Sequence, residues 1–147
     1  MNLIYDRTAE DVLTAQKQRG KVLTPLKGCY NAADLNRVAA AVTEIAAELN
    51  SAGYAVTVNP RTYAESDIIR RSDFAAYLAN VQTLRDAIAV RASTPELPAA
   101  DAKLDFVGAN NIEKILADLD ELLGWMKYSQ KYCGTFAAGQ TILPRKG

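Results

Sequence analysis

Three stretches of the chain carry apolar residues at the period of a helix. Leu35, Val38, Val42, Ile45 and Leu49 fall three and four positions apart in alternation, which puts all five on one stripe. Asn31 stands where an N-cap belongs, with Asp34 in the first turn, and Gly53 marks a C-terminal stop. Alanines 39–41, 46 and 47 flank the stripe and let another helix approach closely. Phe74, Tyr77, Leu78, Val81, Leu84 and Ile88 repeat the pattern and predict a helix from a Ser72 cap to about Arg91, ended by Ser93–Pro98. The clearest stripe is Ile112, Ile115, Leu119, Leu122 and Met126, widened by Leu116 and Leu123. It predicts a helix over Phe106–Lys131, capped by Asp105.

The remaining segments are shorter. Thr8 and Asp11 have capping-box spacing ahead of a helix expected over Ala9–Arg19, whose apolar face is thin: Val12, Leu13 and Ala15. Gly20 stops it, and Lys21–Tyr30 is a connector containing Pro25 and Gly28. Tyr54, Val56 and Val58 alternate with Ala55 and Thr57, which reads as a strand closed by Pro60. Arg61–Arg71 reads as loop, so the second and third helices are joined by an unusually long link. Tyr132–Ile142, with two glycines among aromatic and apolar residues, reads as a C-terminal hairpin or tail able to pair with Tyr54–Val58. The expected fold class is therefore mainly α: a three-helix bundle with a short N-terminal helix and a small β element, near 54–58 and 132–142. Residues 1–147 are expected to form a single helical-bundle domain, with residues 1–7 and 132–147 as candidate extended arms.

Composition narrows the chemistry. At 147 residues and 49% apolar, the chain can build a core without a disulfide or metal staple. Lysine plus arginine equals aspartate plus glutamate, 17 of each, which gives no general attraction to nucleic acid or to an anionic membrane. No apolar run approaches a membrane span, and Met1–Arg7 lacks the basic start and apolar block of a secretion signal. The expectation is a soluble protein made in the cytoplasm. Cys29 and Cys133 are expected to be free thiols, and with no histidine present no metal site and no cofactor is expected. The absence of histidine also excludes Ser-His-Asp and Cys-His catalysis.

Candidate chemistry has a structural reading beside each functional one. Asp118, Asp120 and Glu121 suggest a metal or acid–base cluster, against a solvated helix face opposite the Leu119/Leu122 stripe. Cys29 lies near a helix N-terminus, where a thiol can be activated, against a small buried hydrophobe. Asn31–Arg37 reads as capping, or with Asn36 and Arg37 at a neighbouring subunit. Arg70–Arg71 and the Lys127/Lys131 pair read as solvated surface ahead of phosphate binding. Several aromatic residues stand off the stripes, and Tyr54, Tyr63, Trp125, Tyr128, Tyr132 and Phe136 join Asn36 and Arg37 as the candidate interface, against core packing as the default for Trp125. Val42–Gly53 also resembles the first helix and turn of a helix-turn-helix, which makes a DNA-binding regulator the alternative reading. Against it, the next segment is strand-like and carries few basic residues.

Taken in order, several stretches are similar to one family. They are Asp6–Val12, Leu26–Val38 (LKGCYNAADLNRV, the most specific), Ser51–Val58, Tyr77–Val81, Thr94–Pro98, Asn110–Leu116 and Tyr132–Gly139. Together they resemble small proteins and tail-fibre segments encoded in prophages of Gram-positive gut bacteria. The resemblance implies a virion component of the tail or baseplate, assembled in the host cytoplasm. Its implied partners are other phage structural proteins and further copies of itself, with neither nucleic acid nor membrane. It carries no catalytic motif and so implies no enzyme. In Arg61–Arg71 the chain departs from the family, whose members more often show tryptophan there, so any partner contact made by that loop is not implied.

Overall fold

The computed structural model describes residues 1–21 and 26–133. It is mainly helical, with four helices among the described residues: α1 (Ala9–Lys17), α2 (Ala32–Ser51), α3 (Arg71–Ala87) and α4 (Phe106–Cys133). The three long helices pack pairwise around one core. Val38, Ile45, Leu49, Val81, Leu84, Ile112, Ile115, Leu116 and Leu119 are fully buried there. Leu123 completes the α4 stripe, while Leu122 is only half-buried.

Capping chemistry sets most helix starts. Thr8 and Asp11 form a reciprocal capping box on α1, and Asn31 and Asp34 do the same on α2. Asp105 accepts from the Gly108 N–H at 2.7 Å to start α4. α3 differs from expectation at both ends. It starts at Arg71, because the Asp73 carboxylate turns back to accept the Arg70 N–H at 3.0 Å, leaving Ser72 inside the first turn. It ends at Ala87, four residues before Arg91, because Ile88 turns to extended backbone (φ −132°, ψ 158°) and half-buries with Val90 in strand-like alternation. α1 likewise ends at Lys17, two residues early. Gly53, at φ +94°, closes α2, and Tyr54 N–H reaches back to Leu49 O at 2.9 Å.

α2, α3 and α4 all run in the same direction. Arg37 meets Glu113 near the starts of α2 and α4, and Glu48 meets Lys127 near their ends. The link after α2 runs back alongside it, with Val56 level with Asn50 and Tyr63 level with Asn36. The same link runs against α3, with Asn59 level with Asn80 and Arg61 level with Asp73. Parallel helices explain the long links. A helix of 20 residues rises about 30 Å, and an extended return of that length needs about nine residues. Tight turns suffice only between antiparallel neighbours.

The strand expected at Tyr54–Val58 is not formed, and there is no strand among the described residues. The alternation that suggested it is real: Tyr54, Val56 and Val58 are half-buried while Ala55 and Thr57 are exposed. The segment is an extended strap lying on the helices, and asparagine side chains take the place of a partner strand. Asn50 Oδ1 accepts from Val56 N–H at 2.9 Å while its Nδ2 donates to Val56 O at 3.0 Å. Asn80 clasps Asn59 in the same two-point way, and Asn36 clasps Tyr63. Each amide thus satisfies a backbone N–H and C=O that would otherwise need a ladder. Of the expected C-terminal hairpin or tail, Tyr132 and Cys133 belong to the last turn of α4, and residues 134–142 lie outside the described residues.

Candidate functional site

The most concentrated chemistry in the molecule is a group of four charges that join the N-terminal segment, α2 and α4. Arg7 is 4% exposed, Asp34 6% and Glu113 0%. Arg7 Nη2 donates to Glu113 Oε1 at 2.8 Å and to Asp34 Oδ1 at 3.0 Å. Its Nη1 donates to Ile4 O at 2.6 Å and its Nε to Lys27 O at 3.1 Å. Arg37 donates from Nε to Glu113 Oε2 at 3.0 Å and from Nη2 to Glu113 Oε1 at 2.7 Å and to Asp34. The Ile4 N–H supplies a further donor to Glu113 Oε2, at 2.6 Å.

Two arginines face two carboxylates, so the buried charge sums to zero. That balance is what makes the burial tolerable, because an unpaired ion in the interior costs several kcal/mol. Burial works against the Arg37 charge, yet the bonds to Glu113 and Asp34 outweigh it and raise its pKa. The Tyr30 ring lies under Arg7, 5.4 Å from the guanidinium carbon, and the Tyr30 and Tyr77 hydroxyls meet at 2.5 Å. Burial pushes both phenols well above their ordinary pKa, and both remain neutral hydrogen-bonding groups at physiological pH. The cluster holds the N-terminal segment along α4, opposite to the helix direction. Asn110 adds a fourth amide clasp there, accepting from Arg7 N–H at 3.0 Å and donating to Arg7 O at 2.9 Å. Residues 3–7 are therefore packed on the chain's own helix, with the Lys114 ammonium 5.3 Å from the centre of the Tyr5 ring.

The candidate interface residues fall into two groups. Asn36, Arg37 and Tyr63 are committed within the chain, the first and last to each other and Arg37 to the ion cluster. Tyr63 is buried, which raises its pKa. Tyr54 is half-buried against the core. Trp125 and Tyr128 are 55% and 63% exposed, three residues apart on α4. The Arg91 guanidinium carbon sits 4.5 Å from the Trp125 ring centre, and its Nη2 lies 2.8 Å from Glu121. The Tyr132 side chain and Phe136 lie outside the described residues.

Two readings from sequence are corrected here. Asp118 is 1% exposed, so it is no part of a solvated face. Lys114 reaches it from one turn earlier at 2.6 Å, and Thr94 Oγ1 donates to it at 2.8 Å, which pins the link between α3 and α4. Asp120 and Glu121 remain exposed. Cys29, expected as a small buried hydrophobe, is exposed with a free thiol. The packing constraint at this point belongs to Gly28, where a Cβ would sit 2.1 Å from the Asp11 carbonyl oxygen of α1.

Arg7 and Glu113 were missed by sequence reasoning, although Glu113 carried a signal. It stands four residues after Ala109 and three before Leu116, on the apolar stripe itself. Among the described residues, no group of three or more acidic or cysteine side chains is placed to hold a metal ion, and no helix is long and apolar enough to cross a membrane. No protein-family model, curated protein or solved structure matches the chain.

Proposed function

We propose that the chain is a non-enzymatic structural protein that works through protein–protein contact, and that its setting is the tail or baseplate of a phage virion. The observation that carries the contact reading is the Trp125–Tyr128 face. Two large aromatic side chains stand more than half exposed on a helix whose opposite face is locked into the core. Exposed aromatics beside arginine are the residue types that dominate binding energy at protein interfaces. The charged cluster favours the same reading, because Arg7, Asp34 and Glu113 are buried and engaged with one another and with Arg37. The virion setting is supported by the likeness of LKGCYNAADLNRV and its companion stretches to prophage tail proteins. A DNA-binding role is less well supported: the residues after the α2 turn, where a recognition helix would begin, are extended from Tyr54 to Pro60.

The test is sizing by light scattering, together with co-purification against whatever tail proteins the neighbouring genes encode. The expected result is a stable oligomer or a specific complex. A Trp125→Ala/Tyr128→Ala variant should weaken it while the protein stays folded, as checked by circular dichroism. A strictly monomeric protein indifferent to every co-encoded tail protein would overturn the proposal.

A further inference from the structure

A groove of about 580 Å³ opens between the start of α3 and the chain just before α4. Phe74 and Leu104, both half-buried, line it together with Tyr30 and the buried Leu35. Ile69 stands at its rim, 43% exposed, beside Ile68, which at 88% is the most exposed large apolar residue described. Three cations share the same rim: Arg70, Arg71 and Lys103, with Asp101 as the one acid.

The charges are unusual in two respects, their local sum and their place on a helix. The chain as a whole is neutral, yet this rim carries two net positive charges, three cations less one acid. None of the three cations makes an ion pair among the described residues, which they share with Lys17, Arg19, Lys21 and Arg85, so their charge is open to a ligand. Arg70 and Arg71 also stand at the N-terminus of α3, where the helix dipole disfavours positive charge. Helix stability would not place them there, and neither would packing, since both are exposed.

We infer that this groove binds an acidic segment of a partner protein, with an apolar or aromatic side chain seated on Phe74 and Leu104 and flanking carboxylates on Arg70, Arg71 and Lys103. The inference rests on the proposal that the chain acts through protein contact, and it names the chemistry of one partner. Arginine forks favour carboxylates, and the apolar floor supplies the anchor that a purely electrostatic site lacks. The floor also separates this occupant from a nucleic acid, whose charge is continuous along its backbone.

The experiment sorts a random peptide library displayed on yeast against the labelled full-length protein, and then against an Arg70→Glu/Arg71→Glu variant. Acidic residues in the first turn suit the helix dipole, so the variant should fold at least as well as the parent. The expected result is enrichment of peptides that pair aspartate or glutamate with leucine or an aromatic residue. Their affinity should fall about tenfold or more on the variant and weaken with added salt. No enrichment, enrichment without acidic bias, equal binding to the variant, or tighter binding of single-stranded DNA oligonucleotides would each overturn the groove assignment. Co-purification of the same variant with co-encoded tail proteins separates the two claims. If it still assembles while the peptides fail, the groove is wrong and the assembly reading stands.

Discussion

Two extended straps lie on the helices and are fixed by different chemistry. The strap over residues 54–63 is held by neutral amides, Asn50, Asn80 and Asn36, each closing on one backbone residue. The N-terminal strap over residues 3–7 has one such clasp, from Asn110, and adds the buried Arg7, which with the half-buried Arg37 faces two carboxylates. An amide clasp is local: losing one frees one residue of backbone. The ion cluster is collective, because removing any member leaves an uncompensated charge among the others. The comparison teaches that the N-terminal segment is built to be tied into the fold as a unit, whereas the link after α2 is stitched point by point.

The comparison is broken most sharply at Glu113. Glu113→Gln keeps the shape and leaves Arg7 and Arg37 facing only Asp34. Loss of one member of a buried ion group costs about 3–5 kcal/mol, so urea unfolding should show a drop of that order. A loss below about 1 kcal/mol would place the cluster among weak surface pairs. Asn36→Ala comes next. It strips both bonds from the backbone of buried Tyr63, and about 1–3 kcal/mol of stability should go with them.

The third effect depends on pH. The folded-state pKa values of Tyr30 and Tyr77 are raised by burial, so the folded protein favours the protonated phenols. Their contribution is fully present below the ordinary value of 10.0 and is lost as pH rises beyond it towards the raised folded-state values. Melting temperature should therefore fall on the alkaline side of pH 10.0, and Tyr77→Phe should flatten that fall. The smallest effect belongs to Asn50→Ala, whose clasp on Val56 is exposed and replaceable by water. A loss of about 0.5–1 kcal/mol is expected, and a loss equal to that of Asn36→Ala would erase the distinction drawn from burial.

Much of the frame was legible in the pattern of apolar residues. The stripes of α2, α3 and α4 follow from local spacing, and the caps at Thr8, Asn31 and Asp105 are set by neighbours three residues away. The direction of the helices was less visible, although the long link after α2 is what parallel packing requires. The strap at Tyr54–Val58 misled because half-burial produces a period of two whether the backbone partner is a strand or an asparagine. The clasps left their own mark, since Asn36, Asn50, Asn80 and Asn110 occupy helix positions that favour better helix formers.

The ion cluster was hidden for a different reason. Arg7 and Glu113 are 106 residues apart and Arg37 and Glu113 are 76 apart, so no window of local sequence contains the pairing. A carboxylate on an apolar stripe marks where such a partner is required, and Glu113 and Asp34 both sit on one. At the candidate interface, core packing was the default expectation for Trp125, yet its ring is 55% exposed and lies against Arg91, a partner from the distant link after α3. The commitment of Asn36 and Arg37 to contacts within the chain depended on segments far away in sequence.

The central claim is that Arg7 and Glu113 act as one balanced structural unit, and a double-mutant cycle addresses it directly. Arg7→Met and Glu113→Met each leave an odd charge in the interior, whereas the double variant leaves Arg37 and Asp34 as a balanced pair. The stabilities of the four proteins, measured by urea unfolding, should show the double variant losing less than the sum of the singles, with a coupling of about 2 kcal/mol or more. Additive losses, agreeing within about 0.5 kcal/mol, would contradict the account.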